Sequence, residues 1–313
     1  MKKSLIAVAA LAVVSAASAQ SSVSLYGVAD MWVGKAKGGK VTVGDGGITN
    51  SRFGLKGSED LGGGLKANFT LENEVNLVNG AAPANAFQRN AWVGLSGGFG
   101  SLKLGRSTTA FDDVNGASVS GFDSALSAYA PVWLGYTARS SAQIYYATPA
   151  FNGISGAVGF NLAGNKTTND IMSAHVKYEG GPVFAAFGYQ NDKTANAKHT
   201  VVNGSYDLGM AKVKGSVRNV KGSLSTVVVN PNLKANEYEL GVDVPMGDRL
   251  TLSAGYAKST TELGALSVRN SVGYGLAAGY SLSKRTTAYG GFRADKTNNV
   301  KGNFWAAGVN HTF

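Results

Sequence analysis

The 313-residue chain carries a formal net charge of +10 and contains no cysteine, which excludes disulfides, thiol chemistry and Cys-ligated metals. Its 43 Gly, 13 Tyr and 13 Phe against only 6 Pro point to an all-β chain with many turns, and its Lys and Arg are spread too evenly for a nucleic-acid footprint. In chain order, Lys2 and Lys3, the apolar run from Leu5 to Val14 and Ala17-Ser18-Ala19 predict a secretory signal over 1–19, with 20–313 as the mature domain. Loss of Lys2 and Lys3 lowers the net charge to +8. Gly and polar residues interrupt every later apolar run, so no membrane helix is expected.

From Ser22 to Val33 the residues alternate, with Val23, Leu25, Gly27, Ala29, Met31 and Val33 on one face and Asp30 on the other. Such a strand has one apolar and one wet face, and its length suits a tilted membrane-spanning strand. The same alternation recurs in SRFGLKGSEDLGGGLKANFTLENEV, where Glu59–Gly64 is a tight turn. Farther on, Leu250, Leu252, Ala254 and Tyr256 alternate with Arg249, Thr251 and Ser253, and Val272, Tyr274 and Leu276 alternate with Ser271 and a row of Gly and Ala. The last strand ends on the aromatic Phe313.

The rhythm of the connections separates a barrel from a sandwich. Short turns fall at Glu59–Gly64, Gly97–Phe99, Pro149–Gly153, Glu179–Pro182, Asp207–Met210, Pro245–Asp248 and Ser281–Arg285. Longer polar segments lie between them, near 34–47, 76–86, 107–138, 161–169, 190–198, 219–234, 259–269 and 294–301. Seven turns and eight longer segments make fifteen connections, hence sixteen strands. An even strand count, with short turns on one side and long loops on the other, is the signature of an antiparallel outer-membrane β-barrel. Sixteen strands leave a water-filled lumen.

The segment from Ser107 to Ala138 breaks the pattern. It is about thirty residues without alternation, far beyond an ordinary connection. It contains Asp112, Asp113 and Asp123, and Phe122–Ala130 is a possible short helix capped by Asp123 or Ser124. Its Phe111, Phe122, Tyr129, Val132, Trp133 and Leu134 need a surface to pack against, and the inside of the barrel supplies one.

Taken together, SSVSLYGVAD, SRFGLKGSEDLGGGLKANFTLE, NAWVGLSGGFGSLKLGR, YYATPAFNGISGAVGF, SLSKRT and the terminal GVNHTF resemble the Gram-negative general porins of betaproteobacterial and neisserial type, and they span the mature chain. The resemblance implies a sixteen-stranded homotrimeric diffusion channel whose third extracellular loop, here 107–138, folds inward. It also implies that Phe313 is the signal read by the barrel-assembly machinery. By the same resemblance, the pore is narrowed by Arg52, Arg89 and Arg139 facing loop acids, for which Asp112, Asp113 and Asp123 are the candidates. Arg52 and Arg139 fall on the polar parity of their strands, whereas Arg89 shares parity with Ala91, Val93 and Leu95 and needs a bulge or a loop-end position to turn inward.

Chemistry beyond permeation finds little footing. His175, His199 and His311 are scattered, the glycine runs suit turns, and a lone Asp112-Asp113 pair makes a weak cation site. No catalytic residue, metal or cofactor is expected. On the inward parity, Arg52, Lys56, Lys66, Lys103, Arg139, Lys177, Lys212, Lys214, Arg218, Arg249 and Arg293 outnumber Asp30, Glu72, Glu74, Glu237, Glu239 and Asp243. Such an excess favours anions. The expected function is passive transport of ions and small hydrophilic solutes, with a substrate-specific channel, an adhesin or an outer-membrane enzyme as alternatives. The expected partners are two further copies of the chain, outer-membrane lipid and lipopolysaccharide, and the assembly machinery, with no nucleic acid.

Overall fold

Sixteen long strands and one short one make a single antiparallel sheet closed on itself. The computed structural model describes residues 22–81, 83–119, 125–162, 170–222 and 232–313. The expected signal at 1–19 and the candidate acid Asp123 fall outside them. The strands are β1 (Ser22–Ala36), β2 (Thr42–Asp45), β3 (Arg52–Gly62), β4 (Leu65–Glu74), β5 (Asn90–Gly97), β6 (Gly100–Thr108), β7 (Arg139–Ala147), β8 (Ile154–Asn161) and β9 (Ile171–Gly180). They continue as β10 (Val183–Asp192), β11 (Ala197–Asp207), β12 (Lys212–Gly222), β13 (Leu233–Met246), β14 (Leu250–Leu263), β15 (Leu266–Ser281), β16 (Thr286–Thr297) and β17 (Val300–Thr312). Closure comes from β1, which pairs with β17 through its second half and with β3 through its first. Each of the sixteen long strands thereby has a neighbour on both sides.

All seven expected tight turns join neighbouring strands. The expected long connections are less uniform. The one at 34–47 contains β2, which pairs with β1 from Met31↔Asp45 to Gly34↔Thr42, and Trp32 Nε1 donates to the Asp45 carbonyl at 3.1 Å. The segments at 259–269 and 294–301 are mostly strand. β14 runs on to Leu263 and β15 starts at Leu266, while β16 and β17 are joined by Asn298 and Asn299 alone, at φ 46° and 71°. Asn tolerates this left-handed region, and two such residues make a tight hairpin turn. β-branched Thr and Val in the flanking stretches keep the ladders going.

The two faces of the wall differ as the alternation predicts. Val23, Leu25, Val93, Leu104, Val202, Leu240 and Leu276 are exposed on the outer face, while Asp30, Arg218, Glu237 and Glu239 on the other parity are buried. What buries the lumen-side parity is largely the segment between β6 and β7. Its Phe111 and Val114 pack on Ala186 and Val201, its Ala128, Val132 and Trp133 on Ala257, and its Leu126 on Tyr289, Phe304 and Ala306. The inward row of β15 is bare where the segment passes, because a Cβ on Gly273 would sit 2.2 Å from the Ala128 carbonyl oxygen.

The helix in this segment is not where the sequence suggested. Among the described residues of the segment, 125–130 form turns and a bend, and the one helical turn is α1 (Asp112–Asn115). Residues 122–124 of the expected helix lie outside the described residues; in the rest of it the Ala125 carbonyl accepts from Arg293 Nη1 at 2.5 Å and the Ser127 carbonyl from the Ala130 N–H at 3.3 Å.

Two outcomes test this architecture. Leu252 is exposed on the outer face, whereas Ser253 is buried and donates to Asp243 at 2.7 Å. Leu252→Arg is therefore expected to cost about 2–4 kcal/mol near the bilayer midplane and to destabilise the barrel more than Ser253→Arg in a refolding titration. The reverse order would shift the register of β14 by one. Gly273→Val should unseat the 107–138 segment with the barrel wall intact, at a cost of about 1–3 kcal/mol of overpacking. Liposome swelling should then report a larger size limit for uncharged sugars, and an unchanged limit would refute the close approach.

Candidate pore constriction

Where the residues of the expected constriction lie follows from the ends of β3, β4, β5 and β7. Arg52 opens β3 and pairs with Glu74 of β4, and its Nη1 donates to Thr49 Oγ1 and the Asn50 carbonyl, both at 2.9 Å. Arg89 sits one residue before β5, at the loop end. There it reaches Glu72 Oε1 through Nε at 2.8 Å and Glu74 Oε2 through Nη1 at 3.1 Å. Glu72 is buried, lies 3.6 Å from Arg52 Nε, and accepts from the Tyr26 hydroxyl at 3.0 Å. One carboxylate thus holds two guanidiniums side by side, which their mutual repulsion would otherwise spread apart.

Arg139 opens β7 opposite Thr108 and has no carboxylate partner within 4.0 Å among the described residues. Its charge acts on Arg52, Arg106 and Asp112. Arg106, which simple alternation on β6 does not place in the lumen, joins this cluster through an irregularity. Between the pairs Gly105↔Gln143 and Ser107↔Ser140, one residue of β6 faces two of β7, and Ala142 takes φ 49°. That bulge lets Arg106 reach Ser141 Oγ at 2.8 Å and the Gln88 carbonyl.

The loop acids divide. Asp113 is turned to the wall, where it accepts from Tyr145 at 2.5 Å and Thr108 at 3.0 Å and lies 4.0 Å from His175 Nδ1. It anchors the segment to the wall next to Thr108, the residue opposite Arg139. Asp112 accepts from the Tyr136 hydroxyl at 2.5 Å. Burial pushes its carboxyl up, while the Tyr136 hydrogen bond and the charge of Arg139 pull it partway back. The fold therefore favours its neutral form more than water does, and this share of stability is complete in acid and falls as pH rises through the raised value.

The inward cations also divide, which the sequence does not reveal. On the far wall they are engaged. Arg218 pairs with Glu237 at 2.5 Å, both almost fully buried, and donates to the Leu134 carbonyl. Lys214 pairs with Asp243 and donates to the Val119 carbonyl at 2.9 Å. Arg269 holds the Val132 and Pro131 carbonyls at 2.7 and 2.9 Å. This residue escapes any reading of 259–269 as loop, although it shares the parity of Ser271 and Gly273. On the β3–β7 wall, Lys56 lies 5.1 Å from the Tyr26 ring centre, and Lys103 lies 5.1 and 4.7 Å from those of Trp92 and Tyr145. Neither has a carboxylate within 4.0 Å among the described residues. Lys66 is exposed near the short-turn end of β4, opposite Ser96.

The arrangement resembles known channels in sequence and in shape. A Gram-negative porin family profile matches residues 7–300. The chain is 34% identical over 319 residues to outer membrane porin protein 32 of Delftia acidovorans, across 93% of this chain and 88% of that protein. Among solved structures it superposes on the anion-selective porin from Comamonas acidovorans with a TM-score of 0.80 at 25% identity, covering 94% of this chain and all of that one. A loop-deletion mutant of OmpT of Vibrio cholerae shares the fold at a TM-score of 0.76 and 19% identity, over 94% and 99% of the two chains. With a closed sixteen-stranded barrel, a polar lumen face and an apolar outer face already established, the chain belongs to the Gram-negative porin family, the outer-membrane diffusion channels.

Proposed function

We propose that this porin is a homotrimeric general diffusion channel that prefers anions and is narrowed by its 107–138 segment. The observation that carries the reading is the asymmetry of the lumen charges. The segment covers the wall built by β9–β16 and uses that wall's cations as anchors. The open path is left along β3–β7, where Arg52, Arg89, Arg106, Arg139, Lys56 and Lys103 cluster and, among the described residues, the ion pairs of this group are those of Arg52 and Arg89 with Glu72 and Glu74. A basic lining in a low-dielectric wall raises the local concentration of anions. The likeness to an anion-selective porin from Comamonas acidovorans supports the same sign. Mobile salt screens the effect, with a Debye length of about 10 Å at 0.1 M, so the result is a preference that fades with ionic strength.

Export by the 1–19 signal, contact with lipopolysaccharide, and recognition of Phe313 by the assembly machinery belong to this reading. Phe313 exchanges two backbone hydrogen bonds of 3.1 Å with Gly27, and its ring covers the place where a Gly27 side chain would stand. The terminal residue therefore also completes the seam of the barrel.

In planar bilayers at low salt, Arg52→Gln with Arg139→Gln should move the zero-current potential in a KCl gradient toward cations while the channel stays open. An unchanged potential would mean that these arginines do not set selectivity. Deletion of Phe313 should lower the yield of heat-modifiable trimer in the outer membrane without blocking export. A normal yield would leave Phe313 with no part in assembly.

A further inference from the structure

The lumen face of β1 and β3–β6 holds a recess of about 400 Å³ next to the short-turn end of the barrel. Its wall is continuous by register: Ser24 lies opposite Lys56, Lys56 opposite Thr70, Thr70 opposite Trp92, and Gly94 opposite Lys103. Directly opposed residues share a face, so Lys56, Trp92 and Lys103 all project to the side opposite the exposed Leu25, Val93 and Leu104. In this fold the short turns are periplasmic, which puts the recess on the periplasmic side of the arginine cluster.

Two features distinguish it from the rest of the lumen. Its two ammonium groups have no acid partner within 4.0 Å among the described residues, although Lys177, Lys193 and Lys214 each pair with a carboxylate. Those two groups rest instead on aromatic rings, Lys103 between Trp92 and Tyr145 and Lys56 on Tyr26. Ring contact leaves the remaining N–H groups of an ammonium free to donate. Between them is an indole with the bare Gly94 beside it, fringed by Ser58, Asn68 and Ser96.

We propose that this recess is a weak binding subsite for small aromatic carboxylates, whose carboxylate bridges Lys56 and Lys103 while the ring packs against Trp92. A charged end and a flat apolar body are what the two cations and the indole complement. The inference rests on the anion-preferring reading above and adds to it. A solute held here loads the periplasmic mouth of the channel with one chemical class, which a uniformly basic lining does not do.

The test uses the purified channel in planar bilayers, with benzoate added on the periplasmic side as the probe. Benzoate is expected to reduce the chloride current saturably, and acetate, of equal charge, to need about tenfold more for the same effect. Trp92→Leu and Lys103→Gln should each raise the half-blocking concentration of benzoate about tenfold. Trp92→Phe, which keeps a ring, should restore most of the block, and Lys193→Gln, which removes a remote charge, should leave it unchanged. Each variant is first checked as heat-modifiable trimer with an open channel. Equal block by benzoate and acetate, or full block in Trp92→Leu, would overturn the subsite. The zero-current potential in KCl is read separately: a cation-preferring channel that still shows the benzoate pattern would refute the selectivity reading and uphold the recess.

Discussion

The structure depends on the burial of one ion pair, Arg218 with Glu237, between the far wall and the 107–138 segment. Taking two charges out of water is costly unless every remaining hydrogen-bonding position is filled. Here it is well supplied. Glu237 also accepts from the Leu134 N–H at 2.6 Å and from Ser259 at 3.2 Å, and Arg218 also holds the Leu134 carbonyl and stacks 4.7 Å from the Trp133 ring centre. A segment this long and irregular carries many backbone groups with no ladder to join. The wall's arginines and lysines do that work, and the segment in turn shields them.

That exchange explains how a basic lumen acquires a direction. Inward cations that donate to carbonyl groups of the segment keep their charge but have fewer N–H groups left for a passing solute. Those on β3–β7 have no such duty. They are either spaced by Glu72, as Arg52 and Arg89 are, or left without an acid, as Arg139, Lys56 and Lys103 are among the described residues. On the proposed reading, structural and permeation roles are thereby separated onto opposite walls of one sheet.

A second buried carboxylate completes the barrel. Asp30 accepts from the backbone N–H groups of Gly47, Ile48 and Thr49, from Tyr289, and from Asn310 of β17. Five donors satisfy its charge without a cation. They tie the first connection, β16 and β17 to β1, the region where the sheet must close.

The sequence alone determined the long strands and their number, because the information is local. A strand between lipid and water must alternate every second residue, as Leu250–Tyr256 does, and glycine-rich runs such as Gly62–Gly64 can only be turns. Strand count, closure and membrane face follow from those two signals, and so do the inward parity of Arg52 and the loop-end position through which Arg89 can turn in. Only the tertiary structure decided what each inward charge does. Whether Arg218 lines a pore or holds a carbonyl depends on a partner 84 residues away in the chain, and no periodicity encodes that distance. The bulge at Ala142 that brings in Arg106, the turning of Asp113 toward Tyr145, and the bond from Arg293 to the Ala125 carbonyl share this cause. Each is a choice between local and long-range hydrogen bonds, and closing the barrel around the segment settled it.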